Sequence, residues 1–151
     1  AIKMGDRIAI LKEGGRLAQF AAPKDLLERP VDEFVAGFVG RDRGYRGLSF
    51  TTAADLPIEP VAASVEGLRL TLDDGGRPSG WTSDSGATLP IEGTYTAADT
   101  LRTVMDLTIL SPAGTAVRVD ASGRADGLVR HSAVASYVRE RQLERLGARE
   151  R

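Results

Sequence analysis

Few side chains in this sequence are placed for chemistry. Its 151 residues include no cysteine and a single histidine. That histidine, His131, has no partner at metal-ligand spacing, so it reads as a surface residue at a helix start rather than a ligand or a base. Asp73, Asp74 and Asp120 lie in glycine-rich turns, where short carboxylates serve turn geometry rather than acid–base work. No G-x-x-x-x-G-K-S/T run occurs, so there is no backbone nest to cradle β- and γ-phosphates. Arg130, at a helix start, has the fork geometry to hold a phosphate through two N–H donors. A solvated arginine is the plainer reading. A catalytic domain therefore has no supporting constellation.

Composition narrows the classes further. The formal net charge is −1, with 42% hydrophobic and 27% charged residues, which is ordinary for a globular domain. No basic excess argues for a nucleic-acid partner. No apolar run approaches the length of a membrane span. The absence of cysteine excludes disulfides and thiolate metal sites and fits a reducing compartment.

The elements that must position any site begin with residues 4–43. Arg7 to Leu11 is a short apolar strand, Glu13-Gly14-Gly15 a turn, and Arg16 to Ala21 the returning strand. Pro23 suits the first turn of a helix over Lys24–Glu28, which Pro30 stops. Asp32 is placed to cap a second helix, on which Phe34, Val35, Phe38 and Val39 form an apolar stripe. About forty residues bury too little surface to fold unaided, so these faces are expected to dock on something.

The run M-G-D-R-I-A-I-L-K-E-G-G-R-L-A-Q-F-A-A-P-K-D-L-L-E-R-P resembles the end of an ABC-transporter ATP-binding subunit. Gly15, Gln19, Pro23 and Leu26 fit its "G-x-h-x-Q-x-G-x-P-x-x-h" hairpin, and Ala21 stands where Gly is frequent. The continuation to Arg43 resembles the branch that imports glycine betaine, carnitine, choline or proline. That family's phosphate loop and L-S-G-G-Q-like signature are missing, and its switch histidine would fall before Ala1. The resemblance thus implies a fragment cut inside the ATPase domain and unable to hydrolyse ATP, with ATP and Mg belonging to the parent protein.

Residues 41–52 are glycine-spaced and basic, and read as a linker. Beyond it lies a repeat. The thirteen residues from Leu70 to Thr82 align without gaps on those from Val117 to Val129. Each copy predicts a β-hairpin: an alternating strand, an Asp/Gly turn, G-R, and a second strand opening with glycine. Trp81 heads one such strand and reads as core or dimer interface. The second copy has a helix in front, with Asp99 as its N-cap and Leu101, Val104, Met105 and Ile109 along one stripe. A strand near Leu89–Ile91 precedes it, and Ser132 is placed to cap a terminal helix. The run from Arg139 to Arg151 alternates charge and reads as a solvated helix fraying at Gly147. Nine residues separate Ile58 from Leu68, against twenty-four from Ile91 to Ala116, so the first copy is expected to be helix-poor.

This strand–helix–strand–strand–helix order, with h-h-V-D-x-x-G-R-x-x-G-h-V, resembles the CBS module. That resemblance implies a pair of modules, homodimer formation and a cleft able to hold an adenine nucleotide. In the family a Thr/Ser after the second strand contacts phosphate, and an Asp three residues later holds the ribose. Here those positions are Arg130 and Ala133 in the second copy, with Ser132 beside them, and Ser83 and Gly86 in the first. Ser83, Arg130 and Ser132 are therefore the candidate nucleotide contacts, and no catalytic or metal-ligating residue is expected.

The expected whole is an α+β chain in three parts. Residues 1–40 form a hairpin and two short helices, the ATPase-domain remnant, and residues 41–52 form a linker. Residues 53–151 form a degenerate CBS-like pair, divided into 53–86, 87–139 and a charged tail, 140–151. The expected role is regulation or dimerisation of an osmoprotectant importer's ATP-binding subunit, with nucleotide sensing as the alternative. Its expected partners are a second copy, the rest of the ATPase domain and a transmembrane permease subunit, on the cytoplasmic side of the membrane.

Overall fold

The computed structural model describes residues 5–40 and 43–148, and the chain divides into two units after Thr51. In unit 1, β1 (Ile8–Leu11) and β2 (Leu17–Ala21) pair antiparallel around a 3-10 turn at Glu13–Gly15. Helix α1 (Pro23–Glu28) starts at its proline, where the missing N–H costs nothing. The Asp32 carboxylate caps α2 (Glu33–Val39), accepting the Val35 N–H at 2.9 Å, as expected. It is also held by Lys12 Nζ at 2.6 Å. Gln19 ties the connector down. Its amide donates to Arg29 O at 3.0 Å, and its side-chain oxygen accepts from Val31 N–H at 2.9 Å. Ile10, Leu26, Leu27, Val35 and Val39 make the small core.

The basic stretch expected to be a linker is helical over its described part. Residues Arg43–Gly47 form α3, followed by a 3-10 turn at Leu48–Phe50. Phe50 packs on the unit 1 core, and that burial draws the segment into the unit. Arg41 and Asp42 of that stretch lie outside the described residues, as do Arg149, Glu150 and Arg151 of the charged tail.

Unit 2 carries both hairpins of the repeat. The first is β3 (Leu68–Leu72) with β4 (Pro78–Ser83), and a two-residue strand, β5 (Thr88–Leu89), pairs with β4. A second two-residue strand, β6 (Thr94–Tyr95), precedes helix α4 (Leu101–Leu110). The second hairpin is β7 (Thr115–Val119) with β8 (Ala125–Arg130), and β6 lies parallel to β7. Helix α5 (His131–Gly147) follows. The two hairpins share an irregularity at the same aligned step, Thr71/Leu72 and Arg118/Val119. The aligned positions Trp81 and Leu128 are both buried in one cluster with Val65, Ala113 and Val117. Trp81 is thus a core residue. Among the described residues no helix lies between Phe50 and Leu101.

Three local expectations are corrected. The strand near Leu89–Ile91 ends at Leu89, because Pro90 has no N–H to extend the ladder; it joins the first hairpin, and β6 leads into α4 instead. Thr100, not Asp99, caps α4 by accepting the Thr103 N–H at 3.2 Å, while Asp99 accepts from Thr96 N–H at 2.7 Å. Arg130 is the N-cap residue of α5, without a side-chain cap, so Ser132 sits inside the first turn and caps nothing.

Candidate functional site

The repeat's turns are built alike. The Asp73 carboxylate accepts Gly75 N–H and Arg77 N–H at 2.8 and 2.9 Å; that of Asp120 accepts Ser122 N–H and Arg124 N–H at 2.8 and 3.0 Å. Gly76 and Gly123, at φ +77° and +79°, supply the left-handed step each turn needs. The turns then clasp each other. Ala125 N–H donates to Gly76 O at 3.0 Å, and the Arg77 stem lies 3.9 Å from where a Cβ on Gly123 would stand. One oxygen of each carboxylate, Oδ1, thus serves the geometry of its own turn.

The second strands of the repeat are flanked alike as well. Leu89 pairs with Trp81 on the first hairpin. On the second, Glu59 pairs with Leu128 through two backbone hydrogen bonds of 2.8 and 2.9 Å. The glycine at the third position of each second strand permits this approach. A Cβ on Gly80 would stand 2.8 Å from Leu89 O, and one on Gly127 would stand 2.8 Å from Ile58 Cδ1. The segment Pro57-Ile58-Glu59-Pro60 is therefore a strap laid along β8.

The strap brings a carboxylate to Arg130. Arg130 Nε and Nη2 donate to Glu59 Oε1 and Oε2 at 2.6 and 2.9 Å, a side-on fork with both groups half-exposed. Glu59's hydrogen bond and charge raise the Arg130 pKa above its ordinary value, with Glu66 adding a smaller pull. The other candidates are not drawn into this fork. Ser83 Oγ accepts from Ala87 N–H at 3.0 Å and meets Ser85 Oγ at 2.9 Å, so it closes its own turn. Ser132 is exposed on α5. His131, read from sequence as a lone surface residue, meets Thr108: its Nδ1 lies 3.1 Å from Thr108 Oγ1. That hydroxyl also lies 2.7 Å from Met105 O, and the contact ties α5 to α4.

Sequence reasoning missed Glu59. A signal was available, because the tetrapeptide L-P-I-E occurs at 56–59 and again at 89–92, ahead of each hairpin. Two further groups lie on the second hairpin and β6. Arg118 holds Asp126 in a second fork at 2.8 and 3.1 Å. The Tyr95 hydroxyl is buried with no hydrogen-bond partner, and burial pushes its pKa up to about 12. Among the described residues, no group of three or more His, Asp or Glu is arranged to hold a metal ion, and no helix is long and apolar enough to cross a membrane.

No protein-family model matches the chain. The osmoprotectant import ATP-binding protein OsmV of Salmonella typhimurium is 30% identical over 165 residues, covering 91% of this chain and 43% of that protein. The choline transport ATP-binding protein OpuBA of Bacillus subtilis is 51% identical over 43 residues, which is 28% of this chain and 11% of that protein. The chain is homologous to import ATP-binding proteins for osmoprotectants and choline. It spans less than half the length of these curated relatives. A match of 55% over 40 residues, 26% of this chain and 8% of that protein, reaches the spermidine/putrescine import ATP-binding protein PotA of Frankia alni. In structure the chain is similar to the CBS-pair protein CBSX2 of Arabidopsis thaliana, at a TM-score of 0.47 and 15% identity, covering 63% of this chain and 97% of that one.

Proposed function

We propose that this chain is the C-terminal regulatory and dimerisation region of the ATP-binding subunit of an osmoprotectant importer of the quaternary-amine type, and is not itself catalytic. The extent of the OsmV alignment carries the reading. An alignment covering 91% of the chain cannot omit either unit, since the smaller holds 51 of 151 residues. The short matches do not separate cargoes, because choline and polyamine importers both supply one. In the proposed parent, ATP and Mg belong to the remainder of the ATPase domain, and unit 1 docks on that remainder. The permease subunit is the transmembrane partner, which puts the chain at the cytoplasmic face of the membrane.

Exposed apolar side chains support a role in association. Leu11, Leu17 and Phe20 stand on the outer face of the unit 1 hairpin, and Phe38 on α2 is 69% exposed. In unit 2, Ile109, Leu110, Leu143 and Leu146 are exposed on α4 and α5. Such residues favour association when they gather on one face. The nucleotide-sensing alternative has weaker support, because Arg130 already holds a carboxylate and Ser83 closes its own turn. Sedimentation velocity of the purified chain over a wide concentration range tests the proposal. A reversible monomer–dimer equilibrium is expected; a monomer at every concentration overturns the dimerisation role.

A further inference from the structure

The Arg130 fork has the geometry that recognises two oxygens of a phosphate, and the strap fills it with two oxygens of a carboxylate. The carboxylate is delivered by backbone, not by chance rotation of a long side chain. Glu59 is fixed by its two hydrogen bonds to Leu128, and Ile58 is seated where Gly127 leaves room. Pro57 and Pro60 bracket the pair and restrict its backbone. The pair is nevertheless open to water, with side-chain exposures of 40% for Arg130 and 38% for Glu59. An anion in solution can therefore reach the guanidinium whenever the carboxylate leaves it.

We infer that Glu59 is a built-in occupant of an anion site whose ligating group is Arg130, so that a phosphate group enters only in competition with the chain's own carboxylate. The two forms differ by one exchange. In the closed form the fork holds Glu59, and in the open form it holds phosphate while Glu59 faces water. The backbone ladder to Leu128 remains in both, so removing the carboxylate opens the site without detaching the strap. Glu66, the second carboxylate whose charge acts on Arg130, opposes anion entry in either form. The inference rests on the reading of unit 2 as a regulatory module, and adds the contact that keeps it unliganded.

Isothermal titration of AMP, adenosine and inorganic phosphate into the wild-type chain, Glu59→Ala, Glu59→Gln and Glu59→Ala/Arg130→Ala tests it. Glu59→Ala is expected to bind AMP at least tenfold more tightly than wild type, and the double variant is expected to lose that gain. Glu59→Gln keeps the strap's shape and a neutral acceptor and is expected to fall between, which preserves the test if the alanine variant folds poorly. Competition by inorganic phosphate alone assigns the site to phosphate in general; a gain for AMP without phosphate competition assigns it to a nucleotide. Equal affinity in wild type and both Glu59 variants overturns the inference, as does a gain that survives loss of Arg130. Either overturning result leaves the dimerisation reading standing, since that reading is decided by sedimentation.

Discussion

Gly127→Ala is the sharpest single perturbation of the strap. The new Cβ would lie 2.8 Å from Ile58 Cδ1, 2.9 Å from Ile58 Cβ and 3.3 Å from Ile58 Cγ2. Carbon atoms in contact prefer about 3.5–4.0 Å. A rotamer change moves Cδ1 and Cγ2, but Ile58 Cβ is tied to its backbone, so the strap itself must lift. The backbone of residue 127 is not the obstacle, because Gly127 does not adopt a positive φ. Overpacking of this kind costs about 1–3 kcal/mol. Each kcal/mol lowers the midpoint of a domain this size by roughly 4–8 °C. Thermal and urea unfolding give the magnitude, and amide exchange at Glu59 and Leu128 gives the location. Ile58→Gly removes the opposing carbons, so the double variant Ile58→Gly/Gly127→Ala is expected to cost less than the sum of its parts. Wild-type stability in Gly127→Ala, or strict additivity in the double variant, refutes the seating of Ile58 on Gly127.

Three further outcomes follow from the packing. Tyr95→Phe removes a buried hydroxyl that has no partner, so near neutral pH it is expected to be neutral or stabilising. Its alkaline behaviour is diagnostic. A folded-state pKa of about 12 against 10 gives stability that is complete below pH 10 and lost as pH rises toward 12, about 3 kcal/mol in all; the difference between wild-type and variant midpoints should track that window. Trp81→Ala empties the centre of the unit 2 core and is expected to cost about 3–5 kcal/mol by urea unfolding. In unit 1, the Lys12 hydrogen bond holds the Asp32 carboxyl below its ordinary pKa of 3.8, so its contribution is present above that value and lost as pH falls below it. Acid titration of Asp32 by NMR should move toward the ordinary value in Lys12→Met.

The sequence made the repeat legible because each copy carries its own local instructions. An Asp that caps its own turn, a glycine at positive φ and an alternating strand on each side need no distant partner. The hairpin, α1 and α2 of unit 1 were legible for the same reason: Pro23 and Asp32 mark helix starts that tertiary packing does not override. What stayed hidden was long-range. Glu59 reaches a partner 71 residues away, from a segment whose two prolines suppress any strand pattern. Strand β6 is two residues long and takes its identity from β7 alone. The cap of α4 moved by one residue because Asp99 found a nearer donor in Thr96. The segment after residue 40 looked like a linker by composition, yet Phe50 had a core to join. Of the three candidate contacts, only Arg130 lies in the fork, and its partner Glu59 was not read from the sequence.

Thermal unfolding of the chain against a panel of adenine nucleotides, at two protein concentrations, tests the central claim most directly. The account expects a midpoint that climbs with protein concentration and ignores nucleotide. A nucleotide present at ~100 times its dissociation constant would add about 2.7 kcal/mol of stability. A rise of that order in the wild-type chain, with no dependence on protein concentration, would contradict the dimerisation account and make unit 2 a ligand sensor.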